Sequence, residues 1–297
     1  KMKYKGIILA GGKGTRLSPL TNSISKQILP IYDKPMIYYS LSILMLAEIK
    51  DILILCSQRD HNLFEDLLGN GKSLGININY LIQEKPAGIV QSFIIGEEYI
   101  KGYSSVVILG DNFFHGQNFI RQIKKSMEEN IGATITVYPV SDPHNYGIVE
   151  FNENYEIKSI EEKPISFKSQ YAITGLYFYD QTVVEKAKKV RPSIRGELEI
   201  TDLNKLYLKE NKLRAKIFSR GLAWLDTGSF ESLHDAGSYV RTLENRQGLK
   251  VGCPEEIAWR NGWIDDKKLY SLAQNLIKSS YGKYLLRLLD LNKDVNQ

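Results

Sequence analysis

Short apolar runs alternate with longer amphipathic stretches through the first half of the chain. Residues 6–10, 52–56 and 106–109 are almost uniformly apolar, the pattern of strands buried on both faces. Residues 76–82 are expected to add a further strand. Between these runs, 35–47, 61–68 and 89–100 carry apolar residues at helical spacing. Strand, helix, strand repeated in this way implies a mostly parallel sheet with right-handed crossovers. The second half is less regular. Strands are expected at 133–140, 147–151, 157–161 and 172–179, broken by Pro139, Pro143 and Pro164, with helices at 181–188 and 198–210. From Phe230 onward the pattern is mainly helical, with Pro254 as a start signal. No internal repeat, low-complexity tract or Ser/Gly linker interrupts it. The expected architecture is therefore α/β: a Rossmann-like, mostly parallel mixed sheet flanked by helices, with a helical C-terminal extension. Residues 3–240 would form the catalytic unit and 241–297 the extension.

Composition narrows the class. The 297 residues are 43% hydrophobic and 25% charged, ordinary values for a globular protein. A formal charge of +5 comes without a basic block, since the densest cluster, 186–191, is interrupted by Ala187 and Val190. That argues against nucleic acid and suits small anionic substrates. The two cysteines, Cys56 and Cys253, lie far apart without zinc-ligand spacing, and His61, His115, His144 and His234 show none either. No apolar run approaches the ~20 residues of a membrane helix. The expected setting is cytoplasmic, with no membrane partner.

The chemistry begins after the first strand, in Leu9-Ala10-Gly11-Gly12-Lys13-Gly14-Thr15-Arg16-Leu17. Closely spaced glycines let backbone N–H groups approach phosphate oxygens. The string is neither a P-loop, whose lysine follows the last glycine, nor a dinucleotide fingerprint, which needs a small residue where Leu17 stands. Both of those loops open a helix, whereas Ser18-Pro19-Leu20-Thr21-Asn22 continues as loop.

Together with Lys26 and Pro30, this string resembles the signature of the sugar-nucleotide pyrophosphorylases. The following Ile31-Tyr32-Asp33-Lys34-Pro35-Met36-Ile37-Tyr38-Tyr39 resembles the short form of their glucose-1-phosphate thymidylyltransferase branch. The likeness runs from about residue 3 to about residue 290. It implies transfer of a deoxythymidylyl group from dTTP to glucose 1-phosphate with release of pyrophosphate, a first step toward dTDP-rhamnose or related deoxysugars. UTP, another hexose 1-phosphate, or a non-catalytic nucleotide-sugar sensor are the alternatives. A full set of charged residues disfavours the sensor.

Such a reaction gathers anionic oxygens, so cations and alignment matter more than a covalent nucleophile. The resemblance implies catalytic roles for Arg16, Lys26 and Lys163, and nucleotide contacts from Leu9, Gly11, Gly12, Gly14, Thr15, Gln83, Pro86 and Gly88. Asn112, Tyr146, Gly147, Glu162, Lys163, Ile173 and Arg195 would hold the sugar phosphate. Asp111, just past a buried strand, and Asp226 would hold Mg²⁺. Gln83 can both donate and accept, which suits a pyrimidine edge. Ala87 and Val90 depart from the family pattern there, where Asp and Ala are common, while Gln83, Pro86, Gly88 and Gln91 keep to it. The resemblance further implies a homotetramer with a second nucleotide-sugar site for feedback by dTDP-rhamnose at Gly116, Arg220, Glu256, Ile257 and Arg260.

Overall fold

The computed structural model describes residues 3–295. The chain opens with β1 (Tyr4–Ala10), the glycine loop, a two-residue antiparallel pair β2 (Pro30–Ile31) and β3 (Lys34–Pro35), and α1 (Ile37–Leu46). Next come β4 (Asp51–Cys56), α2 (His61–Leu68), β5 (Asn77–Ile82), α3 (Gln91–Ile95), α4 (Glu97–Ile100) and β6 (Ser104–Leu109). Strands β5, β4, β1 and β6 lie side by side, all parallel. Alternate residues face opposite cores, as the two-residue period of a strand requires. Ile8, Ile52, Ile54 and Ile108 pack toward α1 and α2, whereas Ile7, Leu53, Leu55 and Val107 pack toward α3. The stretch expected as one helix over 89–100 is two, because Gly96 closes α3 with its N–H on Ser92 O at 2.8 Å.

Beyond β6 the chain adds β7 (Asn112–Gly116), α5 (Phe119–Glu129), β8 (Ala133–Pro139), β9 (Gly147–Phe151), β10 (Ile157–Glu162) and β11 (Tyr171–Tyr179). Then follow α6 (Val183–Ala187), α7 (Ile200–Lys209), β12 (Leu213–Ile217) and β13 (Leu222–Asp226). Strand β11 joins the sheet antiparallel and makes it mixed. One edge of β11 pairs with β6 through Leu176–Tyr179 and with β9 through Tyr171 and Ala172. Residues 173–175, between those two segments, have no strand beside them there. That gap opens at the C-terminal end of the parallel strands, where open α/β sheets take their ligands.

Besides the short β2–β3 pair, four elements were not foreseen. Strands β7 and β13 pair only with each other, so their pattern reflects a small ribbon rather than a sheet face. Helix α5 buries only Phe119, Ile123 and Ser126, and β12 buries little beyond Leu213.

The last helices are α8 (Phe230–Gln247), α9 (Pro254–Arg260), α10 (Asp266–Asn275) and α11 (Ser280–Val295). Helix α8 starts at a capping box between Ser229 and Ser232 and runs continuously past residue 240. A buried ionic cluster ties its end to the β2–β3 pair. Lys34 reaches Asp33 at 2.6 Å and Glu244 at 2.8 Å, while Lys250 pairs with both acids. In α9 the buried Glu255 accepts a hydrogen bond from Tyr281 Oη at 2.6 Å. Burial pushes this carboxyl above the usual carboxylate range. A raised folded-state pKa means the protonated form favours the fold, so its contribution is lost as pH rises through the raised value. Glu255→Gln, which keeps a neutral acceptor for Tyr281, should therefore melt higher than the parent at neutral pH. The advantage should close as pH falls into the ordinary carboxylate range, as thermal unfolding over pH will test.

Candidate active site

The glycine loop is shaped by contacts that leave no room for a side chain at Gly11 or Gly14. Gly14 sits at φ 62°, and a Cβ there would lie 2.9 Å from Thr21 Cγ2. Thr21 Oγ1 donates to Gly14 O at 2.7 Å, and Leu17 is fully buried beneath the turn Thr15–Leu17. With Leu17 anchored, Arg16 projects outward. Its guanidinium lies against Gly228, where a Cβ would stand 2.6 Å from Arg16 Nη2 and 3.1 Å from Asp226 Oδ1. Arg16 and Asp226, 210 positions apart in sequence, thus occupy one corner.

Asp111 stands two residues past the end of β6, after Gly110. Its backbone carbonyl accepts from Thr227 N–H at 3.0 Å and Thr227 Oγ1 at 2.6 Å, and β13 pairs Asp226 with Asn112. The β7–β13 ribbon therefore carries the second carboxylate to the first. Lys26 forms an ion pair with Asp111. Burial opposes ionisation of Asp111, but the Lys26 charge and hydrogen bond outweigh it and hold its carboxyl below the usual range. Asp226 is pushed up, by burial first and then by the charge of Asp111. Two carboxylates repelling one another beside Lys26 and Arg16 fit a divalent cation, which would relieve that repulsion. Among the described residues no group of three His, Cys, Asp or Glu side chains could hold a metal. Any such ion would take its remaining ligands from phosphate oxygens and water.

A cavity of about 460 Å³ opens on one side of the acids, lined by Arg16, Asp111, Asn112, Tyr146, Gly147, Glu162, Lys163, Ile173 and Asp226. Its floor is the unpaired stretch of β11, with Thr174 and Gly175. Asn112 Oδ1 accepts from Gly175 N–H at 3.0 Å and Trp224 Nε1 at 2.7 Å, leaving its amide NH₂ near Asp111 at 3.2 Å. Asn112 thus closes the sheet gap and offers only a donor. Glu162 Oε2 accepts from Thr201 Oγ1 at 2.5 Å. A Cβ on Gly147 would stand 3.3 Å from Glu162 Oε2, Ile173 Cδ1 and Thr201 Oγ1 alike. Lys163 adopts φ 45°, rare for a side-chain-bearing residue, and its N–H donates to Tyr146 O at 3.0 Å. Arg195 is exposed and outside the lining of this cavity, paired with Glu199 at 2.9 Å and 3.6 Å from Glu162.

On the other side lies a cavity of about 240 Å³ lined by Leu9, Gly11, Gly12, Lys26, Gln83, Pro86 and Gly88. Ile89, Leu109 and Asp111 border both cavities. The loop over the smaller one is sewn to the segment before α7, with Leu198 N–H on Ala87 O at 2.7 Å. Gly88 sits at φ 94°, and a Cβ there would fall 2.3 Å from Leu198 O. Gly88→Ala should therefore dislodge this loop and raise KM for the nucleotide by tenfold or more, about 1.4 kcal/mol, as steady-state kinetics will test. Ala87 contributes through both of its backbone groups, neither of which depends on the side chain at that position.

Sequence reasoning had assigned no role to Thr174, Gly175, Thr201, Trp224, Gln27 or Glu197, all of which line these cavities. Thr201 lies six residues after Arg195, inside the helix expected over 198–210, and Trp224 stands two residues before Asp226. Thr174 and Gly175 carried no local signal, since the sheet gap makes them site residues. The five residues expected at a second site fall in two groups. Gly116 and Arg220 lie at the far end of the β7–β13 ribbon, where Gly116 pairs with Leu222. Glu256, Ile257 and Arg260 share α9, with Arg260 Nε on Glu256 Oε1 at 2.7 Å. Helix α1 packs against both β7 and α9.

Two clefts that meet at one pair of acids suit an enzyme joining two phosphorylated molecules. Comparison with known proteins agrees: the nucleotidyl transferase family profile matches residues 5–242. A glucose-1-phosphate thymidylyltransferase of Neisseria meningitidis is 55% identical over 96% of this chain and 99% of its own length. The Mycobacterium tuberculosis enzyme of that name is 51% identical over 97% and 100%. A Bacillus anthracis protein assigned provisionally to the same activity, crystallised with sucrose, superposes with TM-score 0.75 and 38% identity. It covers 80% of this chain and 95% of that one. The chain belongs to the nucleotidyl transferase family and, within it, to the glucose-1-phosphate thymidylyltransferases. Members of this family generally use a divalent metal. Among the described residues no helix is long and apolar enough to cross a membrane.

Proposed function

We propose that the chain transfers a deoxythymidylyl group from dTTP to α-D-glucose 1-phosphate, giving dTDP-glucose and pyrophosphate. The observation that carries this reading is the meeting of the two cavities at Leu109 and Asp111. A nucleotide with its base by Gln83 extends its phosphates along the glycine loop toward the acids. A sugar between Tyr146, Gly147 and Glu162 directs its phosphate to the same point. An oxygen of the sugar phosphate bonds to the α-phosphorus as the bond from that phosphorus to the bridging oxygen breaks, and pyrophosphate leaves with the electron pair. Arg16 and Lys26 hold the triphosphate, while Lys163 and Arg195 hold the sugar phosphate, so alignment and charge neutralisation supply the acceleration. Mg²⁺, held by Asp111 and Asp226, would neutralise phosphate charge when bound.

The reading extends to a cytoplasmic homotetramer in which Gly116, Arg220, Glu256, Ile257 and Arg260 hold a nucleotide sugar such as dTDP-rhamnose as feedback inhibitor. Residues 241–297 would serve that subunit contact. The deciding assay is pyrophosphate release with glucose 1-phosphate and Mg²⁺, run in parallel with dTTP, UTP, CTP, ATP and GTP. Fastest release with dTTP, and slower release with UTP, is expected. Folded protein that releases none from any nucleotide overturns the reading.

A further inference from the structure

Gln83, in the wall of the smaller cavity, is bonded to Gln91 outside that lining, and bonding rules alone fix the orientation of both amides. Gln91, at the start of α3, accepts a hydrogen bond from the backbone N–H of Ala87 at 3.0 Å. A backbone N–H can only donate, so the Gln91 atom facing it is the carbonyl oxygen. That same oxygen lies 2.6 Å from the side-chain amide of Gln83. The Gln83 atom facing it must therefore be the NH₂ group, because the alternative sets two oxygens against each other at that distance. Gln83 Oε1 is thereby turned to the opposite side, beside Gly11, where a Cβ would stand 2.5 Å from it. Gln83 is 7% exposed and held from behind by its own N–H on Cys56 O at 2.8 Å. Among the described residues nothing donates to Gln83 Oε1.

We infer that Gln91 is a positioning residue for base selection: by taking one N–H of the Gln83 amide it fixes which atom of that amide is the oxygen and sets Oε1 beside Gly11, on the wall of the smaller cavity. This rests on the proposed nucleotidyl transfer and adds the rule by which its base is chosen. An acceptor fixed in that place takes a pyrimidine whose ring nitrogen carries hydrogen, as in thymine and uracil. Cytosine presents a lone pair at the same ring position, and two acceptors then meet without a proton between them. Turning the amide over to suit cytosine is blocked, since it would break the bond to Gln91 and bring the two carbonyl oxygens together. Selection by this edge leaves the thymine methyl unread, so it separates dTTP and UTP from CTP rather than from each other.

The test compares kcat/KM for UTP and CTP, which share a ribose and lack the methyl, with glucose 1-phosphate as co-substrate. The parent should favour UTP strongly. Gln91→Met, similar in volume but unable to accept a strong hydrogen bond, frees the Gln83 amide and should lower the UTP:CTP ratio by about tenfold or more. The loss should fall on KM for UTP more than on kcat, because Gln91 touches no reacting atom. Gln91→Glu still accepts from both Ala87 and Gln83 and should keep the parental ratio. An unchanged ratio in Gln91→Met overturns the inference, as does a loss in Gln91→Glu equal to that in Gln91→Met. Should Gln91→Met fail to fold, Gln91→Leu takes its place with the same two outcomes, and a collapsed ratio in Gln91→Glu overturns the inference alone. A parent inactive with every nucleotide instead overturns the proposed transfer, which keeps the two failures apart.

Discussion

Asp111→Asn is expected to lower turnover by about a thousandfold or more while the fold persists. The carboxylate is the meeting point of both cavities, the partner of Lys26 and a holder of the proposed cation. Charge stabilisation of that kind contributes several kcal/mol to the transition state, and each 1.36 kcal/mol is about tenfold in rate. Asparagine matches the shape but leaves Lys26 without its counter-charge. The side chain of Lys26 is only 13% exposed, so some destabilisation should accompany the loss of rate. The backbone carbonyl of residue 111 would still accept from Thr227, which is why the ribbon should stay in place. Pyrophosphate release and thermal unfolding on the same sample separate the two effects. Activity near the parental level would remove Asp111 from the chemistry.

The second large effect is expected at Arg16. Arg16→Ala should reduce kcat/KM by about 10²–10³, the usual consequence of deleting one preorganised donor from a site of developing charge. Stability should hardly change, because the side chain is exposed and its turn is anchored by Leu17. Gly228→Ala provides a companion that leaves the guanidinium present but moves it. A methyl there would overlap Arg16 Nη2 at 2.6 Å, and the far end of a flexible side chain yields more readily than backbone does. A partial loss of rate with an unchanged melting temperature is therefore expected. If Gly228→Ala unfolds the protein while Arg16→Ala is fully active, the guanidinium has no part in the reaction.

The parallel strands were legible because burial on both faces leaves an apolar run that no surface segment shares, and β1, β4 and β6 carry that run. Helix α2 and the helical C-terminal portion were legible because apolar residues repeat at helical spacing, whereas α1, buried on nearly all sides, was legible as an apolar run too long for a typical strand. The β7–β13 ribbon was not, because two five-residue strands that pair only with each other carry no longer pattern; α5 went unrecognised although Phe119, Ile123 and Ser126 recur on one helical face. Gly14 could be marked from its string alone, yet Gly88, Gly147 and Gly228 are required by atoms that arrive from Leu198, from Glu162 with Ile173 and Thr201, and from Arg16 with Asp226.

The sequence by itself determined the strand-end glycine loop, the alternation that builds a parallel sheet, and the charged residue types a phosphate-joining site needs. These are local properties, written in the spacing of neighbouring residues. Only the tertiary structure decided that Asp226 stands beside Asp111, that β11 leaves residues 173–175 without a partner on its β6–β9 edge, and that the Gln83 amide turns its NH₂ to Gln91 and its oxygen to Gly11. Each of these depends on contacts between segments far apart in the chain. The partners are chosen by pairing register and by hydrogen-bond complementarity, which no single stretch of sequence records.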